Sequence, residues 1–299
     1  MPGAFLVAET VRSALADDVG VVALETSVIG QGLPTPRNEE CVERMGEAIR
    51  AAGALPAWIG VVDGSVVVGL TEDQLLRFVE PGAASKVARR DYPIAVASGG
   101  LGATTVSATI WAAARAGISV AATGGIGGVH PGARPDVSAD LLELARTPGL
   151  LVCSGPKSII DPEATAERLE ELGVVPVGYG VDRWPFFLAR ETRVDLEHRV
   201  DTPEEAAALV RAALELGTRS TVLLCNAVPI ASAMAAEEVA SAAQQAEAMA
   251  DRDGIHAKAR TPYLLSALAE LTQGRSLEAN LDLLEDNARV AAAVAACLA

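Results

Sequence analysis

The strongest constraint on this chain is a local order that recurs along it: a short apolar run, a glycine-bearing loop, then a helical stretch. Residues 19–27 are an apolar run broken near its end by Glu25, and a Gly/Pro-rich loop follows at 30–36. Residues 93–97 lead into Ser98-Gly99-Gly100-Leu101-Gly102 and a helical stretch at 103–116. Residues 118–122 lead into Thr123-Gly124-Gly125-Ile126-Gly127-Gly128-Val129-His130, and residues 150–154 into Gly155-Pro156-Lys157. Strands that alternate with helices in this way predict an α/β fold with a largely parallel central sheet. Aromatic residues make up only 3% of the chain. The core must therefore be built from Ala, Val, Leu and Ile, which suits helices packed on a sheet.

Other signals fill in the frame. Residues 58–70 read as two strands around Asp63-Gly64, a pair that favours a tight hairpin turn. Asn38 reads as the cap of a helix reaching about residue 52, and Thr71 with Gln74 makes a capping-box pattern. Residues 174–177 and 221–226 read as further strands, with an irregular stretch at 178–190. Thr202 reads as the cap of a helix at 203–216. The last third is helical, at 232–250, 261–272 and 276–296, with Gly274 closing the second of these. No linker, low-complexity segment or repeat divides the 299 residues, so the expectation is a single α/β domain over 1–299 with one β-hairpin and a helical C-terminal portion.

Charge and composition exclude several roles. The net charge is −15, and a surface that acidic repels nucleic-acid phosphates. A small phosphorylated ligand is still compatible, because a local cluster of cations and amides can hold it. No apolar run approaches the ~20 residues needed to span a bilayer. The short acidic N-terminus lacks the basic start of a signal peptide, so the expected location is cytoplasmic. The four cysteines, Cys41, Cys153, Cys225 and Cys297, form no CxxC pair, and Cys153 and Cys225 end apolar runs as core thiols do.

The candidate chemistry gathers at the ends of the apolar runs, where open α/β sheets collect ligand sites. Only three lysines occur, Lys86, Lys157 and Lys258, among many arginines. Lysine can lose its proton and act as an amine nucleophile; arginine cannot. Lys157 reads either as an imine-forming amine or as a solvated loop lysine, and Lys258 as a solvated helix-start residue. Glu25 reads as a buried carboxyl suited to general acid work or as a strand-end polar residue. Lys86, Arg89 and Arg90 read as a phosphate grip or a solvated basic turn. His130 is a phosphate ligand, proton donor or structural histidine, while His198 and His256 lie in polar stretches. Asp136 and Asp140 offer oxygen to a hard divalent cation, or belong to a helix start capped by Ser138. The glycine loops allow close approach to a ligand. A helix following residues 98–102 would point its amides at that loop.

At this point the chain resembles the pseudouridine-5′-phosphate glycosidase family, also called the indigoidine synthase A-like family. The segments that carry the likeness are VVALETSVIGQGLPTPRN from Val21, KVARRDYP from Lys86, GATTVSAT from Gly102, ATGGIGGVHPG from Ala122, DVSADLLELART from Asp136, VCSGPKSIID from Val152, TPYLL from Thr261 and SLEANLDLLEDNA from Ser276. The resemblance implies an α/β/α sandwich, a homotrimer and reversible cleavage of pseudouridine 5′-phosphate to uracil and ribose 5-phosphate. Lys157 falls on the nucleophilic lysine that captures C1′ as an imine, and Glu25 on the proton donor that helps open the ribose ring. Lys86 and Val106 match substrate-contacting positions, His130 a histidine near the phosphate, and Asn280 a position that reads the uracil edge. Asp136 matches the ligand of a divalent metal, usually manganese, and Ser138, Ala139 and Asp140 match the segment that reaches the substrate beside it.

The chain departs from the family pattern in several loops. Gly30-Gln31-Gly32 replaces Ser-His-Gly, Pro131 replaces Arg, and the loop to Asp136 is shorter. Asn226-Ala227-Val228-Pro229 and Asp286-Asn287 replace Asn-Pro-Ile-Pro and Asn-Asn. These changes keep open an alternative within the family, a C-glycosynthase that joins ribose 5-phosphate to an aromatic polyketide, as in alnumycin biosynthesis. Retention of Glu25, Lys86, Asp136 and Lys157 together argues against a catalytically idle binding protein.

Overall fold

Runs that are apolar at every position form strands covered on both faces. In a computed structural model, which describes residues 3–132, 136–255 and 260–299, β2 (Val21–Glu25) and β8 (Gly149–Cys153) are buried at every residue. The chain order is β1 (Phe5–Val7), α1 (Glu9–Ala16), β2, α2 (Arg37–Ala51), β3 (Leu55–Val62), β4 (Ser65–Val68), α3 (Glu72–Val79), β5 (Ser85–Val87) and α4 (Tyr92–Ser98). It continues with β6 (Gly102–Thr104), α5 (Val106–Arg115), β7 (Val120–Ala122), α6 (Ala139–Leu144), β8, α7 (Pro162–Leu172), β9 (Pro176–Tyr179) and β10 (His198–Val200). The last elements are α8 (Pro203–Glu215), β11 (Thr221–Asn226), α9 (Ala236–Arg252), α10 (Arg260–Leu271) and α11 (Arg275–Leu298).

Among the described residues the strands form one sheet in the order β1-β4-β3-β2-β7-β8-β11-β9-β10, with β6 also on β3 and β5 on β6. Pairings are parallel except β3 with β4 and β3 with β6. Alternation along β2 shows the layers. Val22 and Leu24 join a core with residues of α2, α8 and α11, while Val21 and Ala23 join a second core with α1, α5 and α6. Helices thus cover both faces of the sheet, an α/β/α arrangement. Among the described residues no helix is long and apolar enough to cross a membrane.

The hairpin turns at Asp63 and Gly64, both at positive φ (50° and 82°), which is the backbone a two-residue turn of this hand requires. Thr71 and Gln74 form the capping box, and Thr202 caps α8. Other expectations need correction. Residues 93–97 are helical, within α4: Pro93 occupies the first turn, where its missing N–H costs nothing, and Ile94 is 72% exposed. A five-residue apolar run carries too little periodicity to separate strand from helix. The segment after residues 98–102 is first a strand, β6, because β3 outlasts β2 and needs a new partner; the helix begins only at Val106. Asn38 is not a cap. It lies inside α2, buried, and donates to the carbonyls of Ile29 and Val79. Residues 28–32 form a wide helical turn rather than an open loop, and α9 starts at Ala236 rather than 232. His256 and Lys258 lie outside the described residues.

Candidate active site

The site begins where β2 stops. Its last residue, Glu25, pairs with Ile59, and from Gly60 onward β3 is flanked by β6 instead. Two buried threonines close this change of partner. The hydroxyls of Thr26 and Thr104 both donate to the Ile59 carbonyl, at 2.8 and 2.6 Å, and the Thr104 amide donates to the Thr26 hydroxyl at 2.9 Å. The junction is therefore rigid, with its buried backbone groups satisfied. Glu25 is 5% exposed. It accepts from the Thr123 hydroxyl on Oε1 and from the Ser27 hydroxyl on Oε2 at 2.7 Å.

Lys157 comes from the neighbouring part of the sheet. After β8 the chain passes Ser154, Gly155 and Pro156. The Lys157 amide donates to the Ile126 carbonyl at 3.0 Å, and the Ile126 amide to the Gly155 carbonyl at 3.0 Å. Gly155 has φ 76°, and a Cβ there would strike the Pro185 carbonyl, so glycine is required. Glu25, Lys157, Lys86, Thr123, Gln31 and Asn280 line one cavity of about 470 Å³. Strand ends have thus brought the expected acid and both described lysines together.

A second cavity, about 1060 Å³, shares Ser27, Lys86, Lys157 and Thr261 with the first and adds Arg90, His130, Asp136, Ser138, Ala139 and Asp140. The two form one cleft with a narrow and a wide part. The structure divides the three neighbouring cations. Arg89 is occupied: it holds both oxygens of buried Glu143 at 2.8 Å and lies 5.6 Å from the Trp111 ring centroid. Arg90 is exposed and lines the wide part, and Lys86 lines both parts.

Ser138 caps α6, accepting from the Asp140 amide at 3.2 Å. Asp140 is buried with both carboxylate oxygens engaged, by the Ser107 amide at 3.0 Å and the Gly127 amide at 3.1 Å. Its charge sits against the first turn of α5, where a helix favours an anion. The amide-lined helix start expected to face a ligand is thus taken by a protein carboxylate. The glycine loop is likewise explained by packing: a Cβ on Gly127 would collide with Ser138. Val106 is buried in the core beneath α5 and lines neither cavity.

His130 is held by its amide, which donates to the Asp136 carbonyl at 2.9 Å. Its Nδ1 lies 3.9 Å from Glu247 on α9. Burial pushes the Glu247 carboxyl up, but His130 and the Arg260 guanidinium outweigh that and hold it below its usual range. Asp136 is exposed at the rim of the wide cavity. Among the described residues no three His, Cys, Asp or Glu side chains gather as a metal cage. A hard divalent cation that keeps most of its waters and takes one carboxylate beside a substrate phosphate does fit Asp136 in this cavity.

Two contributors escaped the reading of the sequence. Thr123 donates directly to Glu25. Asn287 on α11, 0% exposed, donates to the Thr123 carbonyl (2.8 Å) and the Ser154 hydroxyl (3.0 Å), and accepts from Asn226 (3.0 Å). It ties the ends of β7, β8 and β11 together beneath the cleft. The available signal was a second asparagine seven residues after Asn280, on the same buried face of a helix otherwise rich in Ala, Val and Leu.

Residues 10–297 match the family described as indigoidine synthase A-like protein. The chain belongs to that family. Among indigoidine synthase A-like relatives, it is 46% identical over 289 residues to the pseudouridine-5′-phosphate glycosidase of Gemmatimonas aurantiaca, covering 97% of this chain and 94% of the relative. It is 45% identical to the protein of the same name from Saccharopolyspora erythraea, over 98% of each chain. The crystal structure of an indigoidine synthase A-like protein from Thermotoga maritima superposes with a TM-score of 0.89 at 37% identity, covering 97% of this chain and 95% of that one. The prealnumycin C-glycosynthase AlnA in complex with ribulose 5-phosphate also gives 0.89, at 39% identity, covering 99% and 98%.

Proposed function

We propose that the chain is a pseudouridine-5′-phosphate glycosidase, cleaving the bond between C1′ of the ribosyl phosphate and C5 of uracil, reversibly. The observation that carries this reading is the shared cavity of Glu25, the last residue of β2, and Lys157, which follows β8 on the far side of β7, in a chain 45–46% identical to proteins of that name. A carbon leaving group is poor, so an ordinary route through two carboxylates is unsuited. Lysine offers another. The Glu25 carboxyl protonates the ring oxygen as the C1′–O4′ bond breaks and the Lys157 amine bonds to C1′. Glu25, left as a carboxylate, takes the proton that the new C1′–N bond releases and delivers it to ring carbon C5. The C1′–C5 pair returns to the ring as the nitrogen lone pair forms C1′=N, releasing uracil. Water adds to the imine and frees ribose 5-phosphate and the amine.

In this reading the phosphate lies in the wide cavity with Arg90, Lys86 and His130, a set that supplies charge-assisted hydrogen bonds. A divalent metal at Asp136, taken as manganese, would supply positive charge there. The reading also takes a homotrimer as the assembled form and the cytoplasm as its place of action. AlnA's name keeps the C-glycosynthase reading as the second choice, since its likeness covers 99% of this chain.

The test is incubation with pseudouridine 5′-phosphate and manganese, with free uracil quantified by chromatography. Rapid release is expected, lowered by a strong chelator and restored by manganese. No release from folded protein would transfer the assignment to ribose 5-phosphate chemistry with an aromatic acceptor. Indifference to the chelator would remove the metal from Asp136.

A further inference from the structure

The narrow cavity contains an unmatched pair of hydrogen-bond acceptors. Five side-chain polar atoms among the described residues are buried without a partner, and two of them, Gln31 Oε1 and Asn280 Oδ1, belong to residues lining this cavity with Glu25 and Lys157. A buried acceptor left unmatched destabilises the protein until something donates to it. The orientation of the Gln31 amide is settled by its other end. Nε2 donates to the Ala84 carbonyl at 3.1 Å. That carbonyl can only accept, so exchanging the amide's oxygen and nitrogen would set two oxygens face to face. Gln31 therefore keeps a carbonyl oxygen, not an N–H, for whatever enters.

Gln31 Oε1 therefore calls for a ring N–H, and the Asn280 amide, which no described hydrogen bond orients, can turn its oxygen to a second one. Uracil attached through C5 has hydrogen on both N1 and N3. Uracil attached through N1, as in an ordinary nucleotide, has hydrogen on N3 alone, and a carbocyclic aromatic ring has no N–H. We propose that Gln31 is a specificity-determining residue whose Oε1 accepts one ring N–H of C-linked uracil, leaving Asn280 to serve the other. The inference rests on the proposed glycosidase reading and deepens it. It gives the site a means of distinguishing a C-linked from an N-linked base, because a polar group built to pair strongly rejects a ligand that leaves it unpaired.

The test is a binding cycle on the full-length chain with manganese, carrying Lys157→Ala to stop turnover. Pseudouridine 5′-phosphate and its N1-methyl and N3-methyl analogues are titrated calorimetrically, with and without Gln31→Met. Gln31→Met should weaken binding of the parent roughly tenfold, the cost of about one buried hydrogen bond. One methyl analogue should bind the Gln31-containing protein at least as much more weakly, and most of that loss should vanish in Gln31→Met, because the two changes remove the same bond. Methyl effects that are the same with and without Gln31→Met would overturn the proposal. The analogue comparison made with Gln31 intact needs no change at Gln31, so poor folding of Gln31→Met leaves it readable: equal affinity for all three ligands there also overturns the proposal. Uracil release by the native chain is measured alongside. Release without coupling removes Gln31 and keeps the reaction, coupling without release keeps Gln31 and removes the reaction, and no binding by any ligand removes both.

Discussion

Replacing Asn287 with alanine tests whether the floor of the cleft is held as described. The side chain is 0% exposed and donates to the Thr123 carbonyl and the Ser154 hydroxyl. Alanine strands both groups away from water. Asn226 is less affected, because its amide still donates to Asp286 at 2.8 Å. Each stranded buried group costs about 1–3 kcal/mol, so the loss should be about 2–6 kcal/mol, centred near 4. At about 2.1 cal/mol/K of unfolding entropy per residue, a chain of this length loses roughly 6 °C in Tm for about 4 kcal/mol. Urea unfolding and calorimetry read the stability. Turnover should fall with it, since Thr123 holds Glu25 and Ser154 lies three residues before Lys157. Asn226→Ala leaves both of those groups paired and removes only the stronger donor to Asn287 Oδ1, so it should cost less, about 1–3 kcal/mol. A cost below about 1 kcal/mol for Asn287→Ala, or equal costs for the two variants, would refute the argument.

Other expected outcomes follow from single residues. Burial pushes the Cys41 thiol up to about 12, so iodoacetamide at pH 8 should leave it unmodified in the native protein and alkylate it in urea; rapid native alkylation would contradict its placement. Burial raises the Asp282 carboxyl, but hydrogen bonds from Ser232 and Arg44 bring it below its ordinary value. A depressed carboxylate contributes stability above its unfolded pKa and loses it as pH falls through the folded one. The urea midpoint should therefore drop below about pH 4, less steeply in Arg44→Gln, and parallel profiles for the two proteins would count against the pair. Thr71→Ala should cost about 1 kcal/mol through the lost cap on α3, measured by the same unfolding curves.

The strands buried on both faces were legible because a parallel sheet leaves no polar alternation, and the Asp63-Gly64 hairpin because its turn chemistry is strict. Glu25 and Lys157 stood out as polar groups at the ends of apolar runs. What was not legible depended on partners distant in sequence. Residues 93–97 have the composition of a strand, yet the turn before Pro93 starts a helix. Residues 102–104 look like a helix start until β3 is seen to need a neighbour. Asp140 offers a free carboxylate in the sequence, and only the fold shows the Ser107 and Gly127 amides that occupy it. Asn287 and Thr123 meet from 164 positions apart in the chain, a relation no local pattern contains.

The central claim is that Lys157 is the nucleophile. With three lysines in the chain, Lys86, Lys157 and Lys258, it can be tested by trapping: ribose 5-phosphate and sodium borohydride are added to the native protein, and the reduced adduct is located by peptide mass spectrometry. One adduct is expected, on Lys157, absent from Lys157→Ala and from Lys157→Arg, since arginine does not form the imine. An adduct on Lys86 that persists in Lys157→Ala, or no adduct from protein that releases uracil, would contradict it.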